Sequence, residues 1–512
     1  MHRNNYMEDI MSSLYVEQNL NRANFLIRKG EVLEAFDIYD KIIKKFPNNE
    51  RVKLAIKKLQ PPQVKINTLL EHFQKGQYEQ AEVLAKYLTK NFPRHPLGWN
   101  VLGAIFIQTK RIKESIFPFE QNLLINPQDA VANSNLGNAL RELGEYKKAE
   151  KLLRQAISIN FEYASAHNNL GATLIELGKL EEAEIFLKKA ILLRQNFLEG
   201  HINLGKMLYK LNRLNEAQEH FRKAILLKPD HFETYNSLGA TLKKLNKLKE
   251  AETFFKKSIS LNPRYADAYN NLGNTFKEMG RFEEAVINYQ HSIRLKFEFP
   301  EAHNNLGMVF KELNNLDESE KSLRQAIKIK NNFAEAYNNL GDTLREKERY
   351  DEAEVSYQQA LKFKPDYANA YSNLGILYHH RGLSKMSINC YSKAIYLDPN
   401  NVSYKWDFTI KQLSKVYENN EDYKESLNRF DFELSKLDKF ITSENIDEAA
   451  KFVGKSFPYY LAYHENDNKN LLEKHGKICH RIMKHWQEKQ CISKNNKIIT
   501  KKISKKIKIG II

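Results

Sequence analysis

The sequence predicts an all-α repeat protein: a solenoid of about eleven helix-turn-helix units, two of them degenerate, followed by capping helices and a basic tail. Three observations support this prediction. The dipeptide Leu-Gly recurs at intervals of 34 residues, small residues recur elsewhere with the same period, and the apolar residues of each unit are spaced as on one helical face. Such units stack on their neighbours, so the length of 512 residues does not require several globular domains.

The first helix of each unit carries the Leu-Gly dipeptide. In the unit that starts at Ala164, the residues His167, Leu170, Gly171 and Leu174 follow an i, i+3, i+4, i+7 spacing, which places them on one face. The position of His167 is filled by Trp, Tyr, His or, once, Asn, and we interpret its histidines as seam residues. The dipeptide begins at Leu102, Leu136, Leu170, Leu204, Leu238, Leu272, Leu306, Leu340 and Leu374.

The second helix is marked by small residues. In the same unit, Ala183 follows Leu170 by thirteen residues and Ala190 comes seven residues later. Because Gly171 and Ala183 lack bulk, the two helix backbones can approach closely, and each fully buried leucine at the seam contributes roughly 1.5–3 kcal/mol. The turn between the helices is expected near Gly178-Lys179. One such pair cannot bury its apolar face alone, so neighbouring pairs must stack.

This skeleton resembles the tetratricopeptide repeat over about residues 96–400. The resemblance implies a right-handed superhelix with a concave groove. Two looser units precede it, with their small positions at Ala35 and Ala81, 46 residues apart. The excess over 34 falls near Pro61-Pro62, which predicts a boundary there. We therefore expect a degenerate N-terminal unit at 1–60, the superhelix at 61–400, a helical cap or linker at 401–491, and a basic tail at 492–512.

A column of asparagines is the candidate binding site. An Asn stands immediately before most of the repeat leucines, and an Asn amide can both donate and accept hydrogen bonds to an extended peptide backbone. The same residues could instead satisfy local helix and loop groups, and both interpretations stay open. The column, here called the Asn ladder, consists of Asn135, Asn169, Asn203, Asn271, Asn305, Asn339 and Asn373, and a second column adds Asn168, Asn236, Asn270, Asn304 and Asn338.

Catalytic and metal sites are not predicted. The chain has no nucleophile elbow, glycine-rich phosphate loop or HExxH motif, so we expect no catalytic residue and no cofactor. His475 and Cys479 stand at i and i+4, with His480, His485 and Cys491 nearby, which could in principle ligate zinc. No second paired motif accompanies them and the segment is typical of an amphipathic helix, so we expect no metal.

Composition points to a protein of a reducing compartment. Three cysteines argue against a disulfide framework, and no apolar run approaches the length of a membrane span, which together predict a cytoplasmic location. Of the net charge of +17, seven charges come from lysines after Cys491. Nucleic-acid binding through that tail would be independent of base sequence, and no aromatic stacking platform accompanies it, so this alternative is disfavoured.

The C-terminal part carries a narrower resemblance. The order of a long repeat array, the segment FPYYLAYHENDNKNLLEKHG, a helix with HRIM, and KIKIGII at 506–512 is similar to the bacterial, SPINDLY-like relatives of O-linked N-acetylglucosamine transferase. In that family such a strand opens the GT-B catalytic region. The resemblance implies a chain that ends at this first strand, without the catalytic residues, and that transfers no sugar by itself.

These observations predict a protein-interaction scaffold that binds extended protein segments in its groove. The resemblance implies that it is the substrate-recognition half of an O-linked N-acetylglucosamine transferase-like enzyme, with the GT-B domain lost or encoded separately. The alternatives are a stand-alone adaptor in a multiprotein assembly and a basic-tail nucleic-acid binder.

Overall fold

The computed structural model describes residues 2–29, 31–414, 417, 419–454, 457–463 and 467–494. These residues divide into two compact units, Met1–Asn262 (unit 1) and Pro263–Ile512 (unit 2). All regular secondary structure in them is helical, which confirms the predicted all-α repeat fold. No helix among the described residues combines the length and hydrophobicity needed to cross a bilayer.

Unit 1 consists of helices that pack mainly against their neighbours in the chain. They are α1 (His2–Lys29), α2 (Val32–Lys45), α3 (Glu50–Lys58), α4 (Gln63–Gln74), α5 (Tyr78–Asn91), α6 (Pro96–Gln108), α7 (Ile112–Ile125), α8 (Ala130–Glu142), α9 (Tyr146–Ile159), α10 (Ala164–Glu176), α11 (Leu180–Leu193), α12 (Leu198–Lys210), α13 (Leu214–Leu227), α14 (Phe232–Lys244) and α15 (Leu248–Leu261).

Unit 2 continues the same pattern and then departs from it. Its paired helices are α16 (Ala266–Glu278), α17 (Phe282–Leu295), α18 (Pro300–Glu312), α19 (Leu316–Ile329), α20 (Ala334–Glu346), α21 (Tyr350–Phe363), α22 (Ala368–His380) and α23 (Ser384–Leu397). Beyond them lie α24 (Val402–Ile410), α25 (Asn420–Phe440), α26 (Ile446–Ala449), a short 3-10 helix (Tyr459–Tyr463) and α27 (Lys469–Lys494).

In each Leu-Gly repeat, the two helices pack closely at the glycine of the first helix. In the pair α10–α11, Gly171 and Leu170 are part of the buried face of the first helix, and Ala183 and Leu187 are fully buried on the second. A Cβ added to Gly171 would lie 2.6 Å from Leu187 Cγ. The close approach expected from the small residues is therefore present, and it depends on the glycine.

The turn inside each repeat is closed by a left-handed residue. At Gly178 the φ angle is +75°, and the next N–H, that of Lys179, donates to Leu174 O at 2.9 Å, a Schellman-type helix end. The turn near Gly178-Lys179 is thus where the sequence placed it. The same position has positive φ in Gly144, Gly280 and Gly382, as well as in residues that are not glycine: Lys110, Asn212, Asn246, Asn314 and Glu348.

The loop between repeats is tied to the following helix by one side chain. His167 Nε2 donates to Phe161 O at 2.8 Å, and Trp99 Nε1 donates to Pro93 O at 2.7 Å from the corresponding position. His201 and His303 make the same contact with Gln195 O and Phe297 O. The three histidine rings are buried and Trp99 is half-buried, and each anchors its loop; the burial of the histidines agrees with the predicted seam role.

The N-terminal irregularity has a structural cause. The residues in excess of the 34-residue period form an extra short helix, α3, between the pairs α1–α2 and α4–α5. Pro62 is the N-cap of α4 and the chain before it leaves the helix at Leu59. A proline lacks the N–H that a continuing helix needs, so α3 and α4 cannot merge.

The segment after the repeats forms a separate core within unit 2. Trp406, Phe430, Leu434 and Ile482 are fully buried there, and they come from α24, α25 and α27. Helix α27 extends to Lys494, beyond the expected end of the cap at 491. The predicted strand at 506–512, and the tail from residue 495 onward, lie outside the described residues.

Candidate functional site

The Asn ladder forms hydrogen bonds from one repeat to the preceding one. In each case the ladder amide donates to a side chain 35 residues earlier, which belongs to the second column or occupies the same position. The pairs are Asn135 to Asn100 (3.0 Å), Asn169 to Ser134 (3.3 Å), Asn203 to Asn168 (2.9 Å), Asn305 to Asn270 (3.1 Å), Asn339 to Asn304 (2.9 Å) and Asn373 to Asn338 (3.0 Å). Asn271 is half-buried at the same position in the first repeat of unit 2.

The two columns differ in depth. The acceptors Asn168, Asn270, Asn304 and Asn338 are buried, at 5–8% exposure, whereas the ladder residues themselves are half-buried. An Asn amide has two N–H donors and one carbonyl acceptor. In Asn305 and its equivalents Asn203 and Asn339, the inter-repeat bond uses one N–H. No hydrogen bond of the second N–H or of Oδ1 is described for these three residues.

A cleft opens beside the ladder in unit 1. It has a volume of about 400 Å³ and is lined largely by the first helices of four consecutive repeats, α8, α10, α12 and α14. Ladder residue Asn203 lies in its wall with Asn236 and Ser237, and the apolar part of the lining includes Ala172 and Phe221. The first helices thus present amides and an apolar surface side by side.

Charged side chains rim this cleft. Arg141, Lys206 and Lys210 are among the lining residues, and Lys210 Nζ lies 4.0 Å from Glu176. Tyr209 stands between the two lysines in the sequence, and Lys244 Nζ lies 4.2 Å from the centre of its ring. The periodic residues of the repeats do not predict this basic cluster. Its signal in the sequence is the pair of lysines two and six residues after Leu204, which a comparison of these two positions between repeats would have found.

Tyrosine hydroxyls from the second helices reach polar groups of the first helices in unit 2. Tyr289 donates to Asn274 Oδ1 and Tyr357 donates to Asp342 Oδ1, each at 2.7 Å. Asp342 is also 3.6 Å from Arg345 and 3.9 Å from Lys311. Burial raises the pKa of Tyr357, and the neighbouring Asp342 adds to this effect, so the hydroxyl stays a donor.

Of the residues considered as metal ligands, His475 and Cys479 are part of the packing of the C-terminal core. His475 is 3% exposed, its ring lies against Trp406 and Phe457, and burial lowers its pKa. Cys479 Sγ is 3.7 Å from His475 Nε2, and burial raises the pKa of its thiol to about 11, so the thiolate that zinc requires is disfavoured. Within the described residues, no three His, Cys, Asp or Glu side chains are grouped as metal ligands.

Family models cover the repeat array. Models described as "TPR repeat" and "Tetratricopeptide repeat" match, with overlaps, the whole of residues 137–401, more than half of the chain. The individual matches are 137–178, 205–246, 273–313, 307–344 and 341–382 for the first description, and 162–225, 232–265, 254–287 and 368–401 for the second. The chain belongs to the tetratricopeptide-repeat family.

Solved structures resemble parts of this protein. YrrB, described as a TPR protein with an unusual peptide-binding site, is 24% identical with a TM-score of 0.30, over 36% of this chain and 96% of its own. The Cut9–Hcn1 hetero-tetramer of the APC/C is 13% identical with a TM-score of 0.42, over 85% and 95%. Pseudomonas aeruginosa pilF is 18% identical with a TM-score of 0.37, over 41% and 95%. No curated protein matches the chain.

Proposed function

We propose that this tetratricopeptide-repeat protein is an interaction scaffold that binds extended segments of other proteins along the first helices of its repeats. The observation that carries the proposal is the set of half-buried ladder amides of Asn203, Asn305 and Asn339, for which only the hydrogen bond to the preceding repeat is described. An extended backbone offers the complementary carbonyl and N–H groups at every residue. Such binding tolerates many side chains, as a scaffold requires.

The same amides stabilise the repeat array, so a test must separate the two roles. Asn305→Ala removes a ladder amide, and Asn270→Ala removes only its buried acceptor. Both variants break the same inter-repeat hydrogen bond, and each should lower the free energy of unfolding by about 1 kcal/mol. Only Asn305→Ala should weaken peptide binding, by several-fold, because the ladder amide itself contacts the ligand.

The measurement is fluorescence anisotropy with a library of labelled unstructured peptides, together with urea denaturation of both variants. Asn339→Ala and Asn304→Ala form a second matched pair in the next repeat. Equal losses of affinity in the two members of a pair would mean that the ladder acts only by holding repeats together, and the proposed binding role would be rejected.

We propose further that the bound segments are substrates for glycosylation in the cytoplasm, with the chain as the recognition half of an O-linked N-acetylglucosamine transferase-like system. The resemblance at residues 455–512 and the Asn ladder support this, and the small number of cysteines supports the location. The test is the mass of the native protein detected with an antibody against the repeats. A species close to 60.0 kDa would favour a separate adaptor, and a much heavier one a fused glycosyltransferase.

A further inference from the structure

The cleft of unit 1 carries an excess of positive charge. Of its charged lining residues, Arg141, Lys206 and Lys210 are cationic and Glu176 alone is acidic. Glu176 lies at the limit of an ion pair with Lys210, at 4.0 Å, and both side chains are about half exposed. Lys206 is exposed and has no carboxylate partner among the described residues. Arg141 is ion-paired with Glu142, so the cations open to a ligand are Lys206 and the loosely paired Lys210.

The repeat of Leu204 is the one Leu-Gly repeat with a lysine both two and six residues after its leucine. In the repeat of Leu340, the positions two and six residues after the leucine hold Asp342 and Glu346, whose carboxylates lie 3.9 and 3.8 Å from Lys311 Nζ, within ion-pair distance. In the repeat of Leu204 the same two positions hold Lys206 and Lys210. The two carboxylates at these positions in the repeat of Leu340 are paired with a lysine of the preceding repeat. In the cleft of unit 1, the same two positions hold two lysines, one helical turn apart.

The rest of the cleft suits a peptide better than a nucleic acid. Its apolar lining is Ala172, Ile175 and Ala240, side chains that leave room for one aliphatic group, with Phe221 beside them. Ladder residue Asn203 supplies a backbone-binding amide at the same place. Single-stranded nucleic acids are held by successive aromatic rings on which bases stack. Here one tyrosine, Tyr209, lines the cleft, and Lys244 already covers its ring.

We infer that this cleft selects acidic extended segments: carboxylates pair with Lys206 and Lys210, and an aliphatic side chain between them enters the apolar part of the cleft. The inference rests on the proposed scaffold function and specifies its ligand chemistry. In this arrangement the ladder amides bind the peptide backbone, and the lysines give the preference for segments with acidic side chains. Because the cations are at the rim, the selection weakens as salt rises.

The test uses the full chain and labelled peptides of about 12 residues, enough to extend over roughly 40 Å. One peptide carries Asp and Glu around a central Leu in a Gly-Ser background. The second replaces the acids by Asn and Gln, and the third keeps the acids but replaces Leu by Gly. We expect the first to bind at least about tenfold more tightly than the second, and more tightly than the third.

Charge reversal in the protein is the second part. K206E together with K210E should weaken the acidic peptide at least about tenfold and leave the Asn/Gln peptide unchanged. K257E is the matched control, since Lys257 is an exposed lysine of unit 1 on α15, outside the cleft. It should leave all affinities unchanged. K206A with K210A repeats the test without added acid, and circular dichroism checks that each variant is folded.

The possible outcomes distinguish the acidic preference of the cleft from the proposed scaffold function. Equal binding of the acidic and the Asn/Gln peptides, unaffected by K206E and K210E, would overturn the acidic preference and leave the scaffold function standing. Binding of neither peptide would overturn both. A single-stranded oligonucleotide that displaces the acidic peptide, and loses affinity with K206E and K210E, would assign the cleft to nucleic acid instead.

Discussion

At the scale of single residues, the glycine of each first helix sets the distance between paired helices. Its neighbour across the pair is Leu, Phe or Tyr, and a Cβ at Gly341 would lie 2.6 Å from the ring of Tyr357. Tyr357 is fully buried and its hydroxyl is bonded to Asp342. The ring therefore cannot move away without breaking that hydrogen bond, so this position tolerates no larger residue.

Gly341→Ala should accordingly destabilise unit 2. The added methyl group forces the ring of Tyr357 or the helix backbone to shift, which costs about 1–3 kcal/mol. Gly476→Ala is the matched control, because a Cβ at this helical glycine meets nothing within 4 Å. It should stabilise α27 by about 0.5–1 kcal/mol through helix propensity. Urea denaturation followed by circular dichroism measures both, and equal effects would contradict the crowding argument.

At the scale of the helix pair, the turn position requires a left-handed backbone. Glycine fills it in several repeats and Asn in three, and both types tolerate positive φ. Lys110 and Glu348 fill it at φ angles of 61° and 60°, where an ordinary side chain is strained by about 1–2 kcal/mol. The periodic packing of the flanking helices imposes the turn whatever residue occupies it.

Glu348→Gly should therefore stabilise the repeat. The relief of strain is partly offset by the greater freedom of glycine in the unfolded chain, which leaves about 0.5–1 kcal/mol. Glu348 is exposed and has no described ion-pair partner, so little else is lost. The reverse change in the next repeat, Gly382→Ala, should destabilise by about 1 kcal/mol. Thermal unfolding of both variants is the measurement; a neutral or destabilising Glu348→Gly would contradict the strain assigned to this turn.

At the scale of the whole molecule, stability depends on histidines that are buried in the neutral form. Burial lowers the pKa of His167, His201 and His303. In one repeat His201 Nδ1 lies 2.9 Å from His220 Nδ1. Burial lowers the pKa of His220 to about 4, and the nearby His201 and Lys223 act in the same direction. Glu216 raises the pKa of His220, and Lys188 lowers it by the smallest of these contributions.

The protein should lose stability on acidification because of this pair. The unfolded His220 takes up its proton near pH 6.5, whereas the folded one does so near pH 4. Between these values the unfolded state binds more protons, so the free energy of unfolding falls as the pH is lowered through this window, and the contribution of His220 is fully present and constant above it. His220→Phe should flatten the dependence, since Phe254 holds the same position against Tyr235 in the next repeat.

Thermal unfolding midpoints at a series of pH values measure this effect. His480→Phe is the control, because it replaces an exposed histidine of α27 outside the buried pair. An identical slope in wild type and His220→Phe would show that the buried pair does not contribute.

Much of the fold was predictable because periodicity reports packing directly. A position that is always small, such as Ala183, can recur only where the same two helices cross. The seam role of His167 followed from the Trp and Tyr residues in its column. The contact of its Nε2 with Phe161 O did not, since it depends on the path of a loop.

The candidate site was predictable only in part. The Asn ladder can be recognised in the sequence as a column. Its hydrogen bonds to side chains 35 residues earlier cannot, because they depend on the rotation and translation between consecutive repeats. The cleft beside Lys206 and Lys210 was missed for a related reason. Its lining comes from four first helices, and no local pattern joins them.

The sequence by itself determined the repeat unit, the helix pairs, the turns and the family, since each follows from contacts within about one period of the chain. Only the tertiary structure decided which amides bond to each other and where cations gather beside an apolar surface. Those features arise when consecutive repeats stack, and stacking brings together side chains whose types are chosen independently in each repeat.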